Sequence, residues 1–489
     1  MQGLILSLMF AGCGQDNNLG EFIKTTSPIK VPQKLIESGR FSYGYMKVPE
    51  FHNKPNGKAL ELAIAIFKSK ADSATHEPLV LTTGGPGLSN MDSFIPELSG
   101  DLGNLFLNNR DIVVIELRGL KYSKPNLSSP EIEELQLYLV DKNLSVEETI
   151  ALYLDTLKVV YDRFTKQGVN LSAFNDYEIA NDIVYVMSRL GYEKFSTFGS
   201  SFGTLVAQHL LLNHSPHLVS AVLNAPVDMN RGINDMHVNS INMLDTIFEK
   251  CRNNQEYSAA LPDLKNRFIA LLERLNERPD TLAIKYPVDG KTYNVVLNGN
   301  KLAVWIFAEM YWNTQIPLTL HKILAGDYSE IRERPGLIFP LREFSYGLAL
   351  SIFLTEFPPI SDEDIPLDSD YSVFVKGCGT LIFTPYFLKK AEKVWTVDKV
   401  SNVNKTLETD VPILMLRGAM DHVSDPGYTR ELSKRLENAY LYTFPGVAHS
   451  PIDAGVCGII MMKEFIDNPS KAPDSSCLNQ FQSKFIMPG

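Results

Sequence analysis

The chain has 489 residues, 44% of them hydrophobic and 21% charged, a balance that excludes collagen-like, coiled-coil and wholly disordered architectures. Its length suffices for a large core without metal or disulfide staples, either as about three domains or as one core carrying an insertion. A formal net charge of −11 speaks against a nucleic-acid partner, which requires a basic face to displace counterions from phosphates.

The N-terminus reads MQGLILSLMFAGCG. Leu4–Ala11 is too short to span a bilayer, which takes about 20 apolar residues, but it has the length of a signal-peptide core. Phe10-Ala11-Gly12-Cys13 resembles a bacterial lipobox, with Phe10 where leucine is usual and no Lys or Arg ahead of the apolar run. The expectation is a signal segment over 1–12, lipidation of Cys13 and a polar tether over 13–32. That places the chain in the bacterial cell envelope, exported and facing the periplasm or surface, with the lipid anchor as its membrane contact. A frayed apolar terminus with a buried cysteine is the alternative.

Beyond the tether, residues 42–68 read as strand, Pro/Asn/Gly turn, strand. Four short apolar runs follow: Leu79–Thr83, Ile112–Leu117, Lys194–Phe198 and Val219–Ala225. Each is bounded by turn residues, as buried parallel strands are. A helix over 178–190 separates the second from the third. The pattern stops near Asp228 and resumes at Pro412–Arg417 and Ala439–Phe444. The stretch between is mainly helical, with one hairpin around Val288-Asp289-Gly290-Lys291. The sequence therefore predicts an α/β core over 33–228 and 406–489, interrupted by a helical insertion over 229–405.

Gly199-Ser200-Ser201-Phe202-Gly203 is a G-x-S-x-G between a strand and a helix, the setting of a nucleophile held on a sharp turn. Ser201 needs a base and the base an orienting acid, in the chain order serine, acid, histidine. Of the nine histidines, His449 follows the last strand by a short loop and suits the base. Asp421, in Gly418-Ala419-Met420-Asp421, suits the acid, with Asp425 the rival and His422 an ordinary loop residue. Thr83-Gly84-Gly85-Pro86-Gly87 ends a strand and can bring backbone amides to a developing oxyanion. The Gly85 and Phe202 N–H groups are the expected donors.

These motifs, together with Arg118-Gly119 and Asn175-Asp176-Tyr177-Glu178-Ile179-Ala180-Asn181-Asp182, resemble the proline iminopeptidase and tripeptidyl-aminopeptidase group of α/β-hydrolases. The resemblance runs from about residue 40 to the C-terminus. It implies an α/β-hydrolase fold with a mostly parallel central sheet, and makes the insertion a cap. The sequence departs from the group at five places: Thr83 stands where the glycine loop usually opens with His or Gly, Glu116 opens its D-x-R-G motif, Lys121 replaces a glycine, the acid loop carries an extra residue before Asp425-Pro426, and Leu354-Thr355-Glu356 lacks the cap cysteine.

A free α-ammonium calls for a carboxylate in a confined pocket. Glu356 is the first candidate and Glu309 the second; Tyr311, Trp312 and Trp305 either line a pocket or fill a helix core. The adopted reading is a serine aminopeptidase acting on short peptides, with no cofactor or metal. The alternatives are a carboxylesterase on the same triad and a non-catalytic surface lipoprotein. Apart from Cys13, four cysteines remain, enough for two disulfides in an exported protein. Cys457 pairs with Cys477, their neighbour in sequence, and Cys251 with Cys378; buried free thiols are the alternative.

Overall fold

The computed structural model describes residues 18–71, 73–400, 406–482 and 484–487. The expected signal segment, Cys13 and the start of the tether lie outside them. The strands are β1 Phe22–Thr25, β2 Phe41–Pro49, β3 Ala59–Phe67, β4 Leu79–Thr82, β5 Ile112–Ile115, β6 Phe195–Ser200, β7 Leu218–Asn224, β8 Asp280–Lys285, β9 Thr292–Leu297, β10 Ile413–Gly418 and β11 Ala439–Phe444. Nine of these form one sheet in the order β1-β2-β3-β5-β4-β6-β7-β10-β11, while β8 and β9 form a hairpin of their own. The pairs from β1 through β3 to β5 are antiparallel. From β5 to β11 every neighbour is parallel.

The parallel strands are apolar on both faces because both are covered. Leu79, Leu81, Ile112, Val114, Leu414 and Leu416 point to one layer, with helices Asn90–Leu98 and Val456–Asp467. Their alternating neighbours Val80, Val113, Ile413 and Met415 point to the other, with helices Asp176–Arg189 and Phe202–His214. Helix Phe202–His214 is apolar nearly all round, and Phe202 through Leu211 are all buried. A helix with that profile belongs at the centre of a protein.

The insertion supplies helices Met236–Asn253, Leu264–Glu277, Gly299–Glu309, Ile316–Leu324 and Tyr346–Glu356. The β8–β9 hairpin turns where the sequence predicts, with Gly290 at φ +70°. Every residue of Tyr346–Glu356 is buried, so this cap helix is packed on all sides.

One expectation needs correction, and one segment is more ordered than its polar composition suggests. Within the expected tether, Phe22–Thr25 pairs antiparallel with Tyr43–Met46. The outer edge of β2 offers unpaired N–H and C=O groups, and a short extended segment satisfies them at little cost. Cys457 and Cys477 are joined, but Cys251 and Cys378 are separate buried thiols. Cys251 lies on helix Met236–Asn253, while the Cys378 Sγ donates to the Ala303 carbonyl at 3.6 Å. Burial pushes the Cys251 thiol up to about 11 and raises that of Cys378 well above its usual value. Both behave as small apolar side chains.

Candidate active site

Ser201 joins β6 to helix Phe202–His214 with φ 52° and ψ −116°, a backbone that a side-chain-bearing residue adopts only under constraint. Its N–H donates to the Asn224 carbonyl at 2.8 Å and its carbonyl accepts from Thr204 N at 2.9 Å. The flanking glycine is a steric requirement. A Cβ on Gly203 would stand 2.5 Å from the Thr82 carbonyl oxygen.

His449 Nε2 lies 2.7 Å from Ser201 Oγ, and His449 Nδ1 lies 2.8 Å from Asp421 Oδ2. The three residues the sequence singled out thus form one hydrogen-bonded chain. Asp421 also accepts from Val423 N at 2.8 Å, Ser424 N at 3.1 Å and Ser424 Oγ at 2.5 Å. Burial alone would raise its pKa, but the His449 charge and hydrogen bond, helped by Ser424, hold the carboxyl well below the usual carboxylate range. Gly418 lets the two loops meet, since a Cβ there would sit 1.8 Å from the Ala448 carbonyl oxygen. Asp425, the rival acid, instead caps helix Pro426–Arg435 through Gly427 N and Tyr428 N.

The glycine loop after β4 passes beside the nucleophile. A Cβ on Gly84 would lie 3.2 Å from Ser201 Cβ and 3.8 Å from its Oγ. Gly85 holds φ +125°, and Thr83 N is fixed by Asn90 Oδ1 at 2.9 Å. The Phe202 amide is in the first turn of its helix, where no intrahelical acceptor exists. Both expected oxyanion donors therefore belong to segments that flank Ser201.

Glu116, the departure at the start of the D-x-R-G motif, is fully buried behind this loop. It accepts from Met91 N at 3.1 Å and Tyr122 N at 3.3 Å. Burial pushes its carboxyl up to about 7, against the opposing hydrogen bonds from Met91, Ser89 and Tyr122. Arg118 is equally buried; it grips Asp182 through Nε and Nη2, both at 2.7 Å, and so ties the Arg118-Gly119 turn to helix Asp176–Arg189. Lys121 is held by Asp92 at 2.9 Å and Glu343 at 2.6 Å.

The two ammonium candidates are both buried. The Glu356 side chain is fully buried and 3.9 Å from His209 Nε2. His209 is eight residues beyond Ser201 on the central helix, about 12 Å along its axis at 1.5 Å per residue. Glu309 is buried and paired with Arg334 at 2.8 Å; burial raises its carboxyl to about 7 in spite of that arginine. Trp305 fills the cap core, donating Nε1 to the Arg334 carbonyl at 2.7 Å. Tyr311 and Trp312 are 41% and 54% exposed. The Tyr311 ring lies edge-on to His449 at 5.8 Å and to His422 at 4.8 Å.

His422, read from sequence as a loop residue, is fully buried between Phe307 and Tyr311 of the cap. Burial drives its pKa down to about 3, so it is a neutral wedge between the acid loop and the cap. Its adjacency to Asp421 was the one available signal.

A family model described as alpha/beta hydrolase fold matches residues 77–455, well over half of the chain. The chain belongs to that family. Over 203 residues, 41% of this chain, it is 25% identical to the serine protease Hip1 of Mycobacterium tuberculosis (strain ATCC 25618 / H37Rv), and the match spans 38% of that relative's length. The same protease of Mycobacterium bovis (strain ATCC BAA-935 / AF2122/97) matches to the same extent. Among solved structures, the proline iminopeptidase of Mycobacterium smegmatis is similar with TM-score 0.41 and 13% identity, covering 88% of this chain and 100% of its own. A thermophilic esterase from Thermogutta terrifontis is similar with TM-score 0.36 and 12% identity, covering 87% and 99%.

Proposed function

We propose that this α/β-hydrolase is an exported serine hydrolase that cleaves amide bonds at the free N-terminus of short peptides. The observation that carries the hydrolase reading is the unbroken chain Ser201 Oγ–His449–Asp421. His449 Nε2 takes the Ser201 proton as Oγ attacks the carbonyl carbon, and Asp421 holds Nδ1. The Gly85 and Phe202 amides meet the oxyanion, the amine leaves with the proton from His449, and water releases the acyl group by the same route. The peptide part of the reading draws on the likeness to a serine protease over 203 residues. The Cys457–Cys477 bond supports export; lipidation of Cys13 belongs to the same proposal.

One observation favours a second reading. Glu356 is buried against His209 and Glu309 is engaged by Arg334, so neither stands ready for an ammonium, and a carboxylesterase needs no such group. A panel of free-amine peptides, N-acetylated peptides and short acyl esters separates the two. The expected result is free-amine peptides cleaved at least about tenfold better than their acetylated forms. Ser201→Ala should lower turnover about 10⁴-fold or more, and a fluorophosphonate should label Ser201. Equal cleavage of acetylated peptides overturns the aminopeptidase assignment, turnover of esters alone selects the esterase, and labelling at another serine overturns the site.

A further inference from the structure

A second cluster of chemistry-bearing side chains lies where the cap is seated on the core. Asp176 is the first residue of helix Asp176–Arg189, His209 lies on helix Phe202–His214, and Glu356 ends cap helix Tyr346–Glu356. His209 Nε2 is 3.4 Å from Asp176 Oδ1 and 3.9 Å from Glu356 Oε2, and the three side chains are at most 2% exposed. One ligand-type atom from each lies within 4.8 Å of the other two. In addition, Asp176 Oδ1 accepts no hydrogen bond among the described residues although it is shut off from solvent.

We infer that Asp176, His209 and Glu356 form a buried site for a divalent metal ion, with Zn²⁺ the best fit, which fastens the cap to the core. Zinc binds imidazole nitrogen and carboxylate oxygen at about 2.0–2.2 Å, usually in a tetrahedron. Two ligand atoms on such a tetrahedron are about 3.3–3.6 Å apart, by the geometry of those bond lengths. The 3.4 Å separation of His209 from Asp176 already lies in that range, and the 3.9 Å separation from Glu356 needs a shift of a few tenths of an ångström. The charge also balances. Two carboxylates and a neutral imidazole sum to −2, which a divalent cation cancels in a setting where net charge is costly. A donor set of one nitrogen and two oxygens suits zinc or manganese better than a thiolate-preferring metal. The role is structural: the site lies about 12 Å along the helix from Ser201 and takes no part in acyl transfer.

The test uses the full chain purified without chelator or affinity metal. Metal content by mass spectrometry should give about one zinc per chain after dialysis against zinc and removal of excess. Dipicolinate should lower the melting temperature, and added zinc should restore it. His209→Ala and Glu356→Gln should each lose the bound zinc and the chelator response, and Co²⁺ in place of zinc should give a ligand-field absorption that Glu356→Gln abolishes. If the variants do not fold, the wild-type stoichiometry and chelator response decide alone. A wild type that retains no zinc or manganese and melts identically with and without chelator overturns the site. Zinc that stays bound in both variants sits elsewhere and also overturns it.

Discussion

Glu116 is a buried residue whose ionisation the fold disturbs in a range that solution measurements can follow. Its carboxyl joins the start of helix Asn90–Leu98 to the Lys121–Tyr122 turn, and both adjoin the loop that carries Gly85. Burial raises its pKa from 4.5 to about 7. Between those values the folded chain keeps a proton that the unfolded chain has released. The contribution to stability is therefore full below about pH 4.5 and is lost as the pH rises through about 7. A shift of that size corresponds to on the order of 3 kcal/mol. Glu116→Gln keeps a neutral acceptor in the same place and removes the titration. Its stability relative to the wild type should thus rise by roughly that amount between pH 4.5 and 8, read from unfolding midpoints at each pH. A difference that stays flat across this range would show that Glu116 ionises freely in the fold.

At the scale of elements, the acid loop and the cap meet through aromatic contacts. Tyr311 follows cap helix Gly299–Glu309, with its ring edge on both His449 and His422. Each such ring pair is worth about 0.5–1.5 kcal/mol. Tyr311→Ala should lower kcat/KM about tenfold, mostly through KM, because it strips a partly exposed wall beside the base. Tyr311→Phe should retain activity, since the ring makes these contacts. Steady-state kinetics on one peptide substrate checks both, and an unchanged kcat/KM in the alanine variant would remove Tyr311 from the site. The elbow and the parallel strands were legible in the sequence because their determinants are local. Ser201 needs small neighbours at Gly199 and Gly203, and buried strands such as Ile112–Ile115 are apolar throughout. The surroundings of Glu356 were not legible. Its neighbours Asp176 and His209 are 180 and 147 residues away in sequence, and no spacing rule connects them. For the same reason a carboxylate in a cap motif looked open to a ligand when it is sealed in the interior. Phe22–Thr25 was not legible either, because its partner, the free edge of β2, exists only once the sheet has formed.

Over the whole molecule, the C-terminal segment is held by one covalent link and several weaker ones. Cys457 is buried on helix Val456–Asp467, behind the sheet, and its bond to Cys477 closes a loop with a sequence separation of 20. The same helix is tied to the core by Arg110, which donates to the Ile466 carbonyl at 3.0 Å and to Asp467 at 2.5 Å. Farther on, Phe481 packs edge-on against Phe444 of β11 at 5.2 Å. A loop of about this size restrains the unfolded chain by roughly 3 kcal/mol. The Cys457→Ala/Cys477→Ala double variant should lose about that much stability, and reductant should lower the wild-type midpoint but not the variant's. Activity at low temperature should survive, because Ser201, Asp421 and His449 are positioned by β6, β10 and β11 and not by the tail. The thiol count provides the check on connectivity. In a Cys13→Ser background, the native chain should expose no reactive thiol, since Cys251 and Cys378 are buried and free. Unfolding without reductant should release two thiols, and unfolding with reductant four. Four thiols without reductant would mean that the Cys457–Cys477 bond does not form, and none would restore the Cys251–Cys378 pairing that the buried thiols argue against.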